Sequence, residues 1–345
     1  MNKPGKRIII SAIACFVVGV MSLTIGLLMG ANFRVYIDSG GVRFAEEISL
    51  NVYPDSPFTS ITVHSNIADV EITAADSFSA SLFTNYGDVE VSYYVFDGTL
   101  HIYIEREAMV WLYPGFVRPK SVLSINMPKE PEIPRISVTN TNYDISITGL
   151  NVSEIVINST NGEVNLYRVY AYFAEISALR GGGLYEDNEI EFFHLRTYSG
   201  TSEFVGNNFY ELRTSSQDGS FMFDGCRAEW FNANTRGGNI TATNIETGYL
   251  SPHGEASGHI NIINTFGNIS ITGIFNGRDN TINSTNGDIS ITHYAMPGTV
   301  DYRLATTHGR IYINGERSYR TVVDNGAISH MRVLSRLGDI RFSYE

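Results

Sequence analysis

The sequence predicts an all-β protein: a single-stranded β-solenoid with coils of about 19 residues, preceded by one N-terminal transmembrane helix. Three observations predict it. First, one unit recurs. Ile157 to Leu166 reads I-N-S-T-N-G-E-V-N-L and Ile282 to Ile291 reads I-N-S-T-N-G-D-I-S-I, with looser copies starting at Gly87, Gly267, Gly309 and Gly338. Second, the turn position of that unit falls at 143, 162, 181, 200, 219 and 238, a step of 19 residues without a gap. A period near 20 is the length of one solenoid coil, a unit that cannot bury its apolar face until neighbours stack on it. Third, the run from Ile8 to Ala31 carries no charge.

That run comes first in the chain. It is long enough to cross a bilayer as a helix. Lys3, Lys6 and Arg7 precede it and an acidic remainder follows. Cations on the near side orient residues 1–7 as a cytoplasmic tail, residues 8–31 as the membrane span and the bulk of the chain as extracytoplasmic. A cleaved signal peptide would have an apolar core of about 7 to 15 residues and a small-residue exit; this run is longer and leaves through L-M-G-A-N-F.

The formal charge is −12, and setting aside the +3 of the N-terminal cations leaves −15 on the rest. Nucleic acid is excluded as a partner, as is an anionic lipid face, because both require clustered Lys and Arg. Cys15 lies in the apolar run and Cys226 stands alone outside it, so no disulfide closes within the extracytoplasmic part and no thiolate zinc site is available. The eight histidines do not pair at metal-ligand spacing, and no nucleophile elbow, P-loop or dinucleotide fingerprint is present. No metal and no cofactor are expected.

Residues 35–134 read as a lead-in β region that caps the solenoid. Ile61-Thr62-Val63, Val70-Glu71-Ile72, Val89-Glu90-Val91 and Leu100 to Ile104 alternate as strands do, and Asp97-Gly98-Thr99 reads as a hairpin turn. The apolar stretch Met109 to Val117, flanked by charged residues, is expected to fold over the first coil; a partner or bilayer contact is the other reading. Met127 to Pro134 reads as a proline-stiffened connector.

Residues 135–345 are the solenoid, on the order of ten or eleven coils and roughly 50 Å of stack. With the turn glycine as zero, positions +2 and +4 are mostly apolar: Val164 and Leu166, Phe221 and Phe223, Ile289 and Ile291. Positions between them are mostly polar, such as Asn165 and Ser290, so a short strand with one buried face follows each glycine. A second alternating run precedes it, with Ile157, Ile176 and Leu195 at −5 and a small, often hydroxylic residue at −3. The glycine is expected to supply a positive φ at the corner, and the nearby hydroxyl to bond the turn backbone. After Gly238 the register slips, an irregular coil or loop is expected at Ser251 to Gly258, and the final turns at Gly287, Gly309, Gly326 and Gly338 are unequal.

Parity on the longer strand yields the candidate site. The buried faces are Ala174-Ile176-Ala178, Phe193-Leu195-Thr197, Leu212-Thr214-Ser216 and Phe231-Ala233-Thr235. Alternation then turns Phe173, Phe192 and Trp230 outward at +11, with Tyr172 and Tyr210 beside them at +10 and Glu211 interrupting the row. Aromatic rings stacked one coil apart suit sugar rings or a partner surface. The competing reading is a corner bulge that turns these rings into the core.

Val89-Glu90-Val91, the hairpin Asp97 to Ile102, Ile125-Asn126-Met127-Pro128-Lys129 and the chain of [S/T]-x-x-G-[D/E/N]-[I/V]-x-[I/V/L] turns together resemble the bacterial "putative adhesin" family of unknown function, over roughly Phe58 to Glu345. Tyr143 and Gly181-Gly182-Gly183 depart from the turn pattern. The resemblance implies an envelope-associated protein that attaches rather than catalyses, with a cell-wall glycan or an envelope protein as partner. The alternative is a polysaccharide-acting lyase or hydrolase on the same scaffold, which needs converging carboxylates or a cationic cluster. The densest acidic run, Glu186, Asp187, Glu189 and Glu191, reads as a solvated loop and lacks the spacing of a calcium-binding β-roll or EF-hand. The expectation is a binding module or envelope scaffold on the bacterial cell membrane, not an enzyme.

Overall fold

A computed structural model describes residues 13, 15–22, 24, 35–38, 41–44, 48–84, 89–106, 111–112, 121–129, 132–250, 256–294, 300–319 and 322–344. The body is a solenoid-like stack of β coils. In the central region each coil contains one long and one short strand: Asn151–Ser159 with Val164–Tyr167, Tyr170–Arg180 with Gly183–Glu186, Glu189–Ser199 with Thr201–Val205, Asn208–Ser216 with Ser220–Asp224, and Arg227–Thr235 with Ile240–Thr247. Every strand pairs parallel with its equivalent one coil away. The long strands run in register through Ile155, Ala174, Phe193, Leu212 and Phe231, and the short ones through Leu166, Tyr185, Phe204, Phe223 and Ala242.

The core lies between these two strand columns. Alternation aims one side chain in two inward, and stacking places like upon like. Tyr185, Phe204 and Phe223 stack face to face with centroids 4.6 and 4.8 Å apart, and Phe193 and Phe231 meet them edge-on. All five rings are buried, and each contributes on the order of 1.5 to 3 kcal/mol of burial.

The two corners obey different rules. At the first, the glycines stack so closely that no side chain fits. A Cβ on Gly162 would stand 1.9 Å from the carbonyl oxygen of Tyr143, and one on Gly287 would stand 1.8 Å from that of Gly267. Neither residue has a positive φ, so the conformational role expected for them is corrected to a steric one. The hydroxyl three residues earlier does bond the turn: the Gly287 N–H donates to Ser284 Oγ at 3.0 Å and the Gly219 N–H to Ser216 Oγ at 2.7 Å. Gly200 and Gly267 at this same corner do take the expected positive φ, 105° and 128°. A left-handed φ near 60° recurs at the other corner. Gly149, Arg168, Asp187, Gly206, Gly225 and Asn244, spaced 19 apart, all have φ between 50° and 70°.

Stacking order departs from chain order at both ends. Ser60–Ser65 and Asp69–Ala75 form a coil directly against Ile133–Asn140 and Ile145–Thr148, and Thr99–Arg106 and Ser121–Pro128 stack on its far side. Antiparallel strands Val89–Phe96, Ser79–Thr84 and Ile48–Val52 close that end. The hairpin at Asp97-Gly98 has both residues at positive φ, the turn that matches strand twist. At the other end, the C-terminal strands Ser329–Ser335 and Ile340–Tyr344 lie between the coil of Asp279–Ser284 and Ile289–His293 and the coil of Val300–Thr306 and Ile311–Ile313. The expected run of coils in sequence order is therefore corrected. Gly326 is no stack position: a Cβ there would meet nothing within 4 Å.

After Trp230 the next partner is His259, a step of 29 residues; Tyr249–Leu250 pairs antiparallel with Ala256–Ser257 around the extra segment, and residues 251–255 lie outside the described ones. Most of the run 8–31 also lies outside them. Ile13, residues 15–22 and Thr24 within it are helical and exposed, and among the described residues no helix is long and apolar enough to cross a membrane. Of the apolar stretch 109–117 only Trp111–Leu112 is described, paired with Val35–Tyr36; Gly87 lies outside as well.

Candidate binding groove

The long strands of the central coils bend at one place. Position +9 (Ile190, Phe209, Ala228) is buried and so is position +12 (Ala174, Phe193, Leu212, Phe231). Two residues lie between them, so both face outward. The ladder records the bend: Ala171 pairs with Ile190 and Phe173 with Phe192, while Tyr172 and Glu191 between them are skipped. The strand thus bends where a bulge was the competing reading, but what it turns inward is +9, not the aromatic row.

Phe173, Phe192, Glu211 and Trp230 follow one another in register at +11, half-buried and outside the core. Tyr172 and Tyr210 at +10 are 59% and 44% exposed. The rings brace one another edge to edge: Tyr172 to Phe192 at 5.3 Å, Phe192 to Tyr210 at 5.7 Å, Phe173 to His194 at 5.3 Å, and Trp230 to His259 at 4.6 Å. At the interruption, Glu211 is paired with Arg213 and lies 3.6 Å from His194. His259 is half-buried; Nε2 faces Asn232 Oδ1 at 3.2 Å, and burial lowers its pKa.

A second outward column stands at +8: Tyr170, Glu189, Asn208, Arg227 and Glu246. Between the +8 and +10 columns runs a groove of about 790 Å³, floored by Ala171, Ile190, Phe209 and Ala228. Its +10 wall alternates strictly: Tyr172, Glu191, Tyr210, Glu229. The Arg227 guanidinium is held by Glu246, with both Nε (2.9 Å) and Nη2 (2.5 Å) donating to Oε2. Glu189, Glu191 and Glu229 have no cationic partner among the described residues.

The acidic run expected as a loop is therefore part of the scaffold. Glu186 ends one strand, Asp187 and Asn188 make the left-handed corner, and Glu189 and Glu191 open the next strand with their side chains at the groove. The signal was present in the sequence as the 19-residue step linking Tyr172 to Glu191, Tyr210 and Glu229. Beneath this corner Asn188 and Asn207 form a buried ladder: Asn188 Nδ2 donates to Leu166 O at 3.1 Å and Asn207 Nδ2 to Tyr185 O at 2.7 Å. Cys226 continues the ladder with its thiol 3.4 Å from Phe204 O, and burial raises its pKa. Among the described residues no three His, Cys, Asp or Glu side chains stand close enough to hold a metal ion.

The sequence profile of the Toastrack DUF4097 family matches residues 58–344. The chain belongs to that family. No curated protein matches it. Among solved structures, this Toastrack chain is similar to a "putative lipid binding protein" from Parabacteroides distasonis, at 16% identity over 86% of this chain and 96% of the other, with a TM-score of 0.47. It is similar also to a "putative adhesin" from Parabacteroides merdae, at 10% identity over 86% and 95%, with a TM-score of 0.45.

Proposed function

We propose that the protein is a membrane-anchored, extracytoplasmic β-solenoid that binds a cell-wall glycan or an envelope protein through the outward wall of its central coils, without turning its ligand over. One observation carries the reading: aromatic rings and carboxylates repeat in register along the groove, outside the core. A solenoid without a ligand needs no such strip, since its stability comes from the interior and from coil-to-coil pairing. The uncharged run after Lys3, Lys6 and Arg7 supports attachment to the membrane with the solenoid outside. In this reading the row of Phe173, Phe192 and Trp230 shapes and stiffens the wall, while Tyr172 and Tyr210 offer the accessible ring faces.

The test is a binding screen of the full chain in detergent against purified cell-wall glycans and envelope extracts, with Tyr172→Ala/Tyr210→Ala as the control. Truncating exposed aromatic contacts at the centre of an interface typically costs about 2 kcal/mol or more, roughly thirtyfold in Kd. A captured ligand whose affinity is unchanged in the double variant would remove the groove from the reading. Shortening of a captured polymer over time would replace the binder with the polysaccharide-acting enzyme.

A further inference from the structure

Resting on that reading, we infer that the groove takes an amine-bearing β-linked glycan, laid along the stack with one sugar ring per coil. The +10 wall presents Tyr172, Glu191, Tyr210 and Glu229 on successive coils, so ring faces recur every second coil and carboxylates recur between them. Coils rise by about 4.8 Å. A β-1,4-linked pyranose chain advances by close to one coil per ring and turns over at each linkage. Every second ring then offers the same edge to the wall. A sugar face over Tyr172 places its neighbour beside Glu191, and the pattern repeats over Tyr210 and Glu229.

Charge selects among glycans. Among the described residues, Glu189, Glu191 and Glu229 line the groove without a cation to answer them, and the one guanidinium in its lining, on Arg227, is already held by Glu246. A polymer carrying uronates or phosphates would meet like charge. A free amine on the sugar supplies the missing cation and donates to the carboxylates, the stronger kind of hydrogen bond. The period disfavours an extended lysine-rich peptide, the other cationic chain. Its same-side residues recur at about 6.8 Å, out of step with the coils, and the groove strands are paired on both sides, leaving no edge for its backbone.

The experiment measures binding of the full chain in detergent, at low salt and at a pH where amines are protonated. The probes are an oligomer of β-1,4-linked glucosamine, its fully N-acetylated counterpart and a peptide of alternating lysines. The glucosamine oligomer is expected to bind about tenfold tighter than the acetylated one, a preference that fades as salt rises. Glu191→Gln/Glu229→Gln, isosteric changes at one exposed and one half-buried carboxylate, is expected to abolish the preference while the melting temperature moves little. Tyr172→Ala/Tyr210→Ala is expected to weaken both oligomers. Equal binding of the two oligomers, or a preference that survives the glutamines, overturns the amine assignment and leaves the binding function standing. Peptide binding that depends on the glutamates, without glucosamine binding, overturns the glycan. Failure of every probe, or indifference to the tyrosine variant, overturns the groove as the site altogether.

Discussion

At Gly162 the constraint is a carbonyl oxygen 1.9 Å from where a Cβ would be; at Gly225 it is a φ of 62° with nothing nearer than 4.0 Å. The two glycines therefore fail differently. Asn tolerates the left-handed region, so Gly225→Asn should cost at most a few tenths of a kcal/mol. Gly162→Asn should cost on the order of 1 to 3 kcal/mol by overpacking, as should Gly162→Ala. Chemical denaturation of the three variants checks this, and equal losses at both sites would refute it. A second residue-scale prediction concerns Tyr185, whose hydroxyl is buried without a partner among the described residues while Phe204 and Phe223 occupy the equivalent positions. Removing an unsatisfied buried hydroxyl should recover roughly 1 to 3 kcal/mol, so Tyr185→Phe is expected to raise the denaturation midpoint. His293 adds a pH dependence. Its ring is buried against Phe275, with Nδ1–H donating to Gly273 O, and burial lowers its pKa below 6.5. The unfolded chain binds the proton more readily, so the contribution is full above about pH 6.5 and is lost as pH falls through the lowered folded value. His293→Phe should flatten that acid limb of the stability profile.

At the scale of the strand, the bend between +9 and +12 separates core residues from outward ones within two positions. Phe231 is fully buried and Trp230 beside it is half-buried on the outer face. Phe231→Ala should cost about 3 to 5 kcal/mol as a core cavity, whereas Trp230→Ala should cost about 1 kcal/mol, from lost packing on His259. Comparable losses in the two variants would place the outer row in the folding core. The bend also explains why the row is accessible without being loose: the rings lock edge to edge and to His194 and His259, so little rotamer freedom remains to be lost on binding.

For the whole molecule, the order of layers makes a specific prediction. The C-terminal strands Ser329–Ser335 and Ile340–Tyr344 are an inner layer, with Val300–Thr306 and Ile311–Ile313 outside them. A chain ending at residue 325 would lose the support beneath residues 300–313 rather than an end cap. Hydrogen exchange should find those amides protected in the full chain and unprotected in the shortened one; retained protection would mean that the outer coil can dock directly on the coil of Asp279–His293. The antiparallel closures at both ends, Val89–Phe96 and Ile48–Val52 at one and Val322–Val323 at the other, limit the open strand edges that would invite further stacking.

The sequence by itself determined the coil, its period and its inward face, because a 19-residue step and two-residue alternation are local properties that every coil repeats. Parity from Phe193 and Phe231 was enough to put Phe192 and Trp230 outside. The tertiary structure alone decided three things. It showed that the stacked glycines answer a clash with the neighbouring coil, since the distance between coils is invisible within one coil. It turned the run Glu186 to Glu191 from a loop into a corner and a groove wall, because the bend that exposes +10 and +11 together comes from packing at +9. And it interleaved the end coils, since identical apolar faces such as those of Ile289, Ile311 and Ile340 fit one another equally well in any order. Only the closing of the whole stack selects among them.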